Sequence, residues 1–177
     1  MLLHKRFLYL LLILPTLLIT ACGYNFTADT STKLTANQTV WVAYFKNITV
    51  YPSATVALKR AFFEQFGSQR GILPAASEKE GDILISGKIT GYGINEVSYT
   101  AADIAKEYRL TLTSEITATR QKDDGSIETI WQGVLSAWHD YMVTGSIEEQ
   151  YRNEEAALQI AARKLAQNAI WQMEQNY

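Results

Sequence analysis

Ser136, His139 and Asp140 lie within five residues of one another, and a hydroxyl, an imidazole and a carboxylate are the groups of a nucleophilic triad. In an extended strand, side chains alternate between faces, so Ser136 and Asp140 project one way and His139 the other. The three cannot converge on one reacting atom. The acidic pairs Asp123-Asp124 and Glu148-Glu149 fall at a turn and in the first turn of a helix, where carboxylates are favoured for local reasons. Gly87, Gly91 and Gly93 sit within and after a strand with no helix following, which is not the layout of a phosphate-cradling loop. One cysteine and two histidines make no metal-ligand set. The sequence therefore reads as a protein that is not an enzyme and holds neither a metal nor a cofactor.

The remaining reactive group is Cys22, the only cysteine, in the stretch Leu17-Leu18-Ile19-Thr20-Ala21-Cys22-Gly23. It has no partner for an internal disulfide. His4, Lys5 and Arg6 give a basic start, residues 7–20 are almost wholly apolar, and Thr20 and Ala21 are small. That order is a secretory signal. The apolar run of 14 residues (7–20) falls short of the roughly 20 that span a hydrocarbon core. Small residues before the cysteine match a bacterial lipobox, with Ile19 where Leu is preferred. In such a motif the thiol is acylated and the chain is cut before it, so the covalent lipid on Cys22 becomes the membrane anchor. With residues 1–21 removed, Lys5 and Arg6 go too, leaving 14 of the 16 basic residues against 18 acidic ones. The resulting balance of −4 leaves no broad basic field for nucleic acid.

The elements must be read around that anchor. Residues 22–37 are the lipidated N-terminus and a tether of short polar side chains, and residues 38–177 are long enough for one domain with a real core. Residues 39–46 predict a strand with Val40, Val42 and Tyr44 on one face and Trp41, Ala43 and Phe45 on the other. Pro52 and Ser53 start a helix whose stripe is Thr55, Leu58, Ala61, Phe62, Gln65 and Phe66, and which ends at Gly67 or Gly71. A second strand begins at Ile83, its glycines marking bulges or close backbone approach. The third strand alternates most cleanly, with Tyr108, Leu110, Leu112, Ser114, Ile116 and Ala118 facing one way and a threonine-rich set the other. Asp123-Asp124-Gly125-Ser126 is a hairpin signal, and residues 127–142 return as a fourth strand. Ser146 and Glu149 have the spacing of a capping box, opening a last helix whose inward stripe is Tyr151, Leu158, Ala161, Ala162, Leu165, Ala169 and Met173. Trp41, Phe45, Phe62, Phe66 and Trp131 are expected in the core; Tyr24 and Phe26, beside the lipid site, are expected at the membrane interface or on a partner.

The order strand, helix, three strands, helix predicts an α+β two-layer sandwich, with two helices on one face of a four-stranded mixed sheet. The helical crossover makes the first two long strands parallel, and the hairpin makes the later ones antiparallel. The open face of the sheet is then the threonine-rich one.

Assembled in this way, the chain resembles the LptE family, lipoproteins that take part in lipopolysaccharide assembly at the Gram-negative outer membrane. The resemblance covers nearly the whole mature chain. It rests on Cys22-Gly23-Tyr24-Asn25-Phe26, on Ala105-Lys106-Glu107-Tyr108-Arg109-Leu110-Thr111-Leu112-Thr113, and on the Ala/Leu-rich helix after Asn153-Glu154-Glu155. It implies a lipid-anchored outer-membrane protein, facing the periplasm and a barrel lumen, that plugs and stabilises the LptD β-barrel and assists lipopolysaccharide transport to the outer leaflet. Lipopolysaccharide is then a second partner. Lys106, Arg109 and Arg152 are the cations nearest the family's lipid-contacting region, where residues 98–103 carry no basic group. Gly23 after the cysteine is compatible with sorting to the outer membrane. The alternative is a lipid-anchored scaffold or pilot subunit of another cell-envelope complex.

Overall fold

The computed structural model describes residue 34 and residues 38–99, 101, 105–122, 124–143 and 145–175. Cys22, Tyr24 and Phe26, the signal and most of the tether lie outside the described residues. The described elements are β1 (Thr39–Val42), β2 (Lys46–Asn47), α1 (Ser53–Arg70), β3 (Leu73–Pro74), a 3-10 turn (Glu78–Glu80), β4 (Ile83–Tyr99), β5 (Ala105–Gln121), β6 (Ile127–Met142) and α2 (Ile147–Gln175).

The α+β sandwich is as expected, but the sheet has six strands rather than four, ordered β3-β1-β4-β5-β6 with β2 also on β4. The expected strand over residues 39–46 breaks after Val42. Alternation would bury Tyr44, whereas Tyr44 is 71% exposed and Phe45 is buried. The kink turns Phe45 onto the Phe62 ring of α1, centroids 5.7 Å apart, and lets Lys46–Asn47 resume pairing as β2. The sixth strand, β3, follows α1 directly and pairs with β1 in parallel. β1 is parallel to β4, as the crossover requires, while β4, β5 and β6 form an antiparallel meander.

Local chemistry explains the boundaries. α1 ends because Gly71 adopts a left-handed φ of 63°, donating to Gly67 O at 3.2 Å while Ile72 N donates to Phe66 O at 3.3 Å. The β5–β6 turn closes through Gly125 at φ 82°, with Gly125 N on Lys122 O and Ser126 N on Asp124 Oδ1. At the start of α2, Ser146 Oγ takes the Glu149 N–H at 3.5 Å and donates to the Glu148 carboxylate at 3.0 Å. The entry to β1 is clamped: Thr39 N donates to Asp82 Oδ2 (2.7 Å) and Thr39 Oγ1 to Glu80 O (2.7 Å).

The core lies between the sheet and both helices. It is built from Val40, Val42, Ile83, Ile85 and Ile89 of the parallel strands, Leu110, Leu112, Ile116 and Ala118 of β5, and the inner faces of α1 and α2. Two expected members differ. Tyr151 is 68% exposed, since α2 begins beyond the packed region, and Trp41 is only half-buried beneath the Lys59 ammonium, 5.1 Å from its ring. Gly87 is required by close approach: a Cβ there would stand 2.2 Å from Glu115 O and 2.7 Å from the Phe45 ring. A bulge at Thr90 then shifts the register of β4.

Candidate interaction surfaces

β5 has 17 residues and α1 has 18, which correspond to lengths of about 56 Å and 27 Å, so the strands outrun the first helix. At the projecting end, Val97, Tyr99, Met142, Ile147 and Tyr151 are exposed. Two of the three expected cations are brought there together. Val143 N donates to Lys106 O at 3.0 Å, and Asn153 Nδ2, beside Arg152, donates to Met142 O at 3.3 Å. Both Lys106 and Arg152 are exposed.

Arg109 is placed otherwise. Lys106, whose carbonyl accepts from Val143 N, is on the parity of the core residues, whereas Arg109 is on the opposite parity and stands on the open face. Its guanidinium is bidentate to Asp140, Nε–Oδ1 2.7 Å and Nη2–Oδ2 2.9 Å, and is stacked 3.7 Å from the centre of the Trp138 ring. The hydrogen bonds from Arg109 hold the Asp140 carboxyl below the usual carboxylate range. This cross-strand group was not anticipated; the Arg109–Asp140 register is its only sequence signal, and it depends on the hairpin's exact pairing.

Hydroxyl side chains make up much of the rest of the open face, where Val134 is also exposed. Thr111, Thr113 and Thr117 are half-exposed in one row, and Thr113 Oγ1 lies 2.7 Å from Ser136 Oγ. Ser136 and Asp140 are thus engaged there, while His139 pairs with core residue Leu110 on the other face, as alternation requires. On the helix side, Tyr92 stacks on Tyr51 at 3.8 Å and donates to Glu154 Oε1 at 2.8 Å. Burial, then the Glu154 bond, raises the Tyr92 phenol above its ordinary value, and burial pushes Tyr141 up to about 12.

At the opposite end of the sheet, a cavity of about 660 Å³ is lined by Gln38, Asp82, Arg120, Lys122, Asp124 and Glu128. Arg120 Nε and Nη2 are buried there without a hydrogen-bond partner among the described residues. Among the described residues, no group of three or more His, Cys, Asp or Glu could hold a metal ion, and no helix is long and apolar enough to cross a membrane.

Residues 37–173 match the family model described as "LptE: Lipopolysaccharide-assembly". No curated protein matches the sequence. Among solved structures, a protein from Xanthomonas campestris is similar at TM-score 0.55 and 12% identity, covering 77% of this chain and 83% of that one. A hypothetical protein from Chlamydia trachomatis is similar at TM-score 0.52 and 10% identity, covering 77% and 95%. The rare lipoprotein B from Shewanella oneidensis gives TM-score 0.44 at 12% identity, covering 75% and 93%. At these identities the first two establish the fold alone.

Proposed function

Because the chain belongs to the LptE lipopolysaccharide-assembly family, we propose that it plugs and stabilises an LptD-type outer-membrane β-barrel and assists lipopolysaccharide transport to the outer leaflet. Membership makes it a lipoprotein of the cell envelope that takes part in lipopolysaccharide assembly. In the finer reading, residues 1–21 are removed, Cys22 carries the lipid at the outer membrane, residues 22–37 are the tether, and residues 38–177 enter the lumen.

The observation that carries the plug is the wet sheet face. A row of threonines with Ser136 and Gln132 offers hydrogen bonds to a polar, water-lined barrel interior, where an apolar face would be mismatched. For lipopolysaccharide, Lys106 and Arg152 at the projecting end are exposed and suit phosphate through charge-assisted hydrogen bonds. Arg109 reaches a phosphate only by exchanging Asp140.

The test is to tag the full-length protein at its C-terminus, extract the envelope in mild detergent and identify what co-purifies. A large outer-membrane β-barrel at near-equal amount is the expected result. A different envelope complex in its place overturns the plug in favour of a scaffold or pilot role.

A further inference from the structure

Two arginines of β5 are placed very differently. Arg109 commits its Nε and Nη2 to Asp140 as a bidentate pair, at 2.7 and 2.9 Å. In Arg120 the same two nitrogens are buried and have no hydrogen-bond partner among the described residues. Arg120 continues the core-facing parity of Ile116 and Ala118 and stands opposite Ile83 on β4 and Glu128 on β6. Glu128 turns instead to Lys122 Nζ, 3.7 Å away. A buried guanidinium without a counter-ion is costly to keep, so an unmade pair of this kind marks the place of a missing partner.

The cavity that Arg120 lines has a volume of about 660 Å³ and carries both signs of charge, Arg120 and Lys122 against Asp82, Asp124 and Glu128. Thr39 N and Oγ1 both donate to Asp82 Oδ2, at 2.7 and 3.0 Å, and Ser126 N donates to Asp124 Oδ1 at 2.8 Å, so two of the carboxylates are held in place by their neighbours. A bare anion at Arg120 meets three carboxylates, and a bare amine meets two cations. A small molecule bearing both charges satisfies each set at once. Its phosphate suits the Nε–Nη2 edge, a fork that matches two phosphate oxygens, and its ammonium suits the carboxylates.

We propose that this cavity binds a phosphoethanolamine group, with the phosphate on Arg120 and the primary amine among Asp82, Asp124 and Glu128. The site is separate from the cations assigned above to lipopolysaccharide, since Lys106 and Arg152 lie at the other end of the sheet. The choice of this zwitterion over an amino acid rests on one part of the functional reading, the lipid-anchored tether. Residues 22–37 join the domain at Gln38, which lines the cavity, so the site lies where a lipid-anchored segment enters the fold. A free phosphoethanolamine and the headgroup of a phosphatidylethanolamine carry the same amine and phosphate and differ only in the ester.

The experiment uses the full-length protein in maltoside detergent with isotope-labelled arginine, and follows the Nε–H resonance of Arg120, assigned by its loss in Arg120→Met. O-Phosphoethanolamine is expected to shift that resonance and to bind about tenfold more tightly than inorganic phosphate or ethanolamine, the ratio that one added charge-assisted contact supplies. Glu128→Gln is expected to weaken binding, and Lys59→Gln on α1 to leave it unaltered. Soluble dihexanoyl-phosphatidylethanolamine then distinguishes the sources: binding of this diester assigns the site to a membrane lipid, and binding of the monoester alone assigns it to the free headgroup. Inorganic phosphate binding as tightly overturns the amine half of the proposal, β-alanine binding as tightly overturns the phosphate half, and no shift with any probe overturns the site. Arg120→Met removes an unpaired buried charge and is expected to fold at least as stably as the parent. Arg120→Gln replaces it if it does not fold, and unaltered phosphoethanolamine affinity in a folded variant of either kind overturns the proposal. Mass spectrometry of the N-terminal peptide scores the lipid on Cys22 separately, so a lipidated protein that binds no probe overturns this inference alone, and binding without the lipid overturns the tether reading alone.

Discussion

Tyr92 of β4 and Glu154 of α2, sixty-two positions apart, are joined by a 2.8 Å hydrogen bond that pins the start of the last helix to the sheet. Tyr51 stacks on the same ring, so the contact gathers β4, α2 and the loop before α1.

The first prediction concerns alkali. Both Tyr92 and Tyr141 have raised folded-state values, so the folded protein holds protons that the unfolded chain loses from about pH 10 upward. Their contribution to stability is full below that pH and is lost as pH rises through the folded values. The denaturation midpoint is expected to fall steeply above pH 10, and less steeply in Tyr92→Phe. Equal slopes in the two proteins would disprove the coupling.

A pair of glycine substitutions tests the packing with opposite signs. Gly87→Ala drives a methyl into backbone Glu115 O and the buried Phe45 ring, neither of which can yield, and is expected to cost about 3 kcal/mol or more. Gly67 lies inside α1 with nothing within 4 Å of an added Cβ, so Gly67→Ala is expected to stabilise by about 0.5–1 kcal/mol. Urea unfolding of the two variants measures both.

For the open face, the Asp140 carboxyl is held low by Arg109, so its contribution to stability is present at neutral pH and lost as pH falls through that lowered value. In Arg109→Met the carboxyl is expected to titrate closer to the ordinary range. Carbon-detected NMR titration of Asp140 reads this directly, and an unchanged midpoint would remove Arg109 as the cause.

The projecting end gives a functional prediction. If Lys106 and Arg152 meet phosphates, reversing both to Glu lowers lipopolysaccharide binding by about tenfold or more per cation, since charge-assisted bonds exceed about 1.4 kcal/mol each. Lys59→Glu, on α1 among Trp41, Tyr44 and Phe63, is expected to leave binding unaltered. Equal losses in all three positions would indicate a general charge effect.

Much of the architecture was legible because β5, β6 and the two helices carry strong periodic signals. Leu110, Leu112, Ser114, Ile116 and Ala118 are all buried, as their alternation required, and Ile127–Met142 has the expected limits. What alternation misread was the end of β1: Phe45 leaves the strand pattern for the Phe62 ring, a contact between residues seventeen apart that no local period encodes. β2 and β3, two residues each, are too short to show any period and exist only as neighbours of longer strands. For the surfaces, face parity correctly separated Ser136 and Asp140 from His139. The Arg109–Asp140–Trp138 group and the Arg120 cavity depended on register and strand order, which composition does not carry.

Thr39 sits where the chain enters the sheet, fastened to Asp82 and Glu80, with β1 lying parallel between β3 and β4. A tensile load applied at Thr39 along the strand axis therefore shears several hydrogen bonds at once instead of peeling them singly. Pulled along that axis at Thr39, the first strand yields only when the bonds on both of its sides break together.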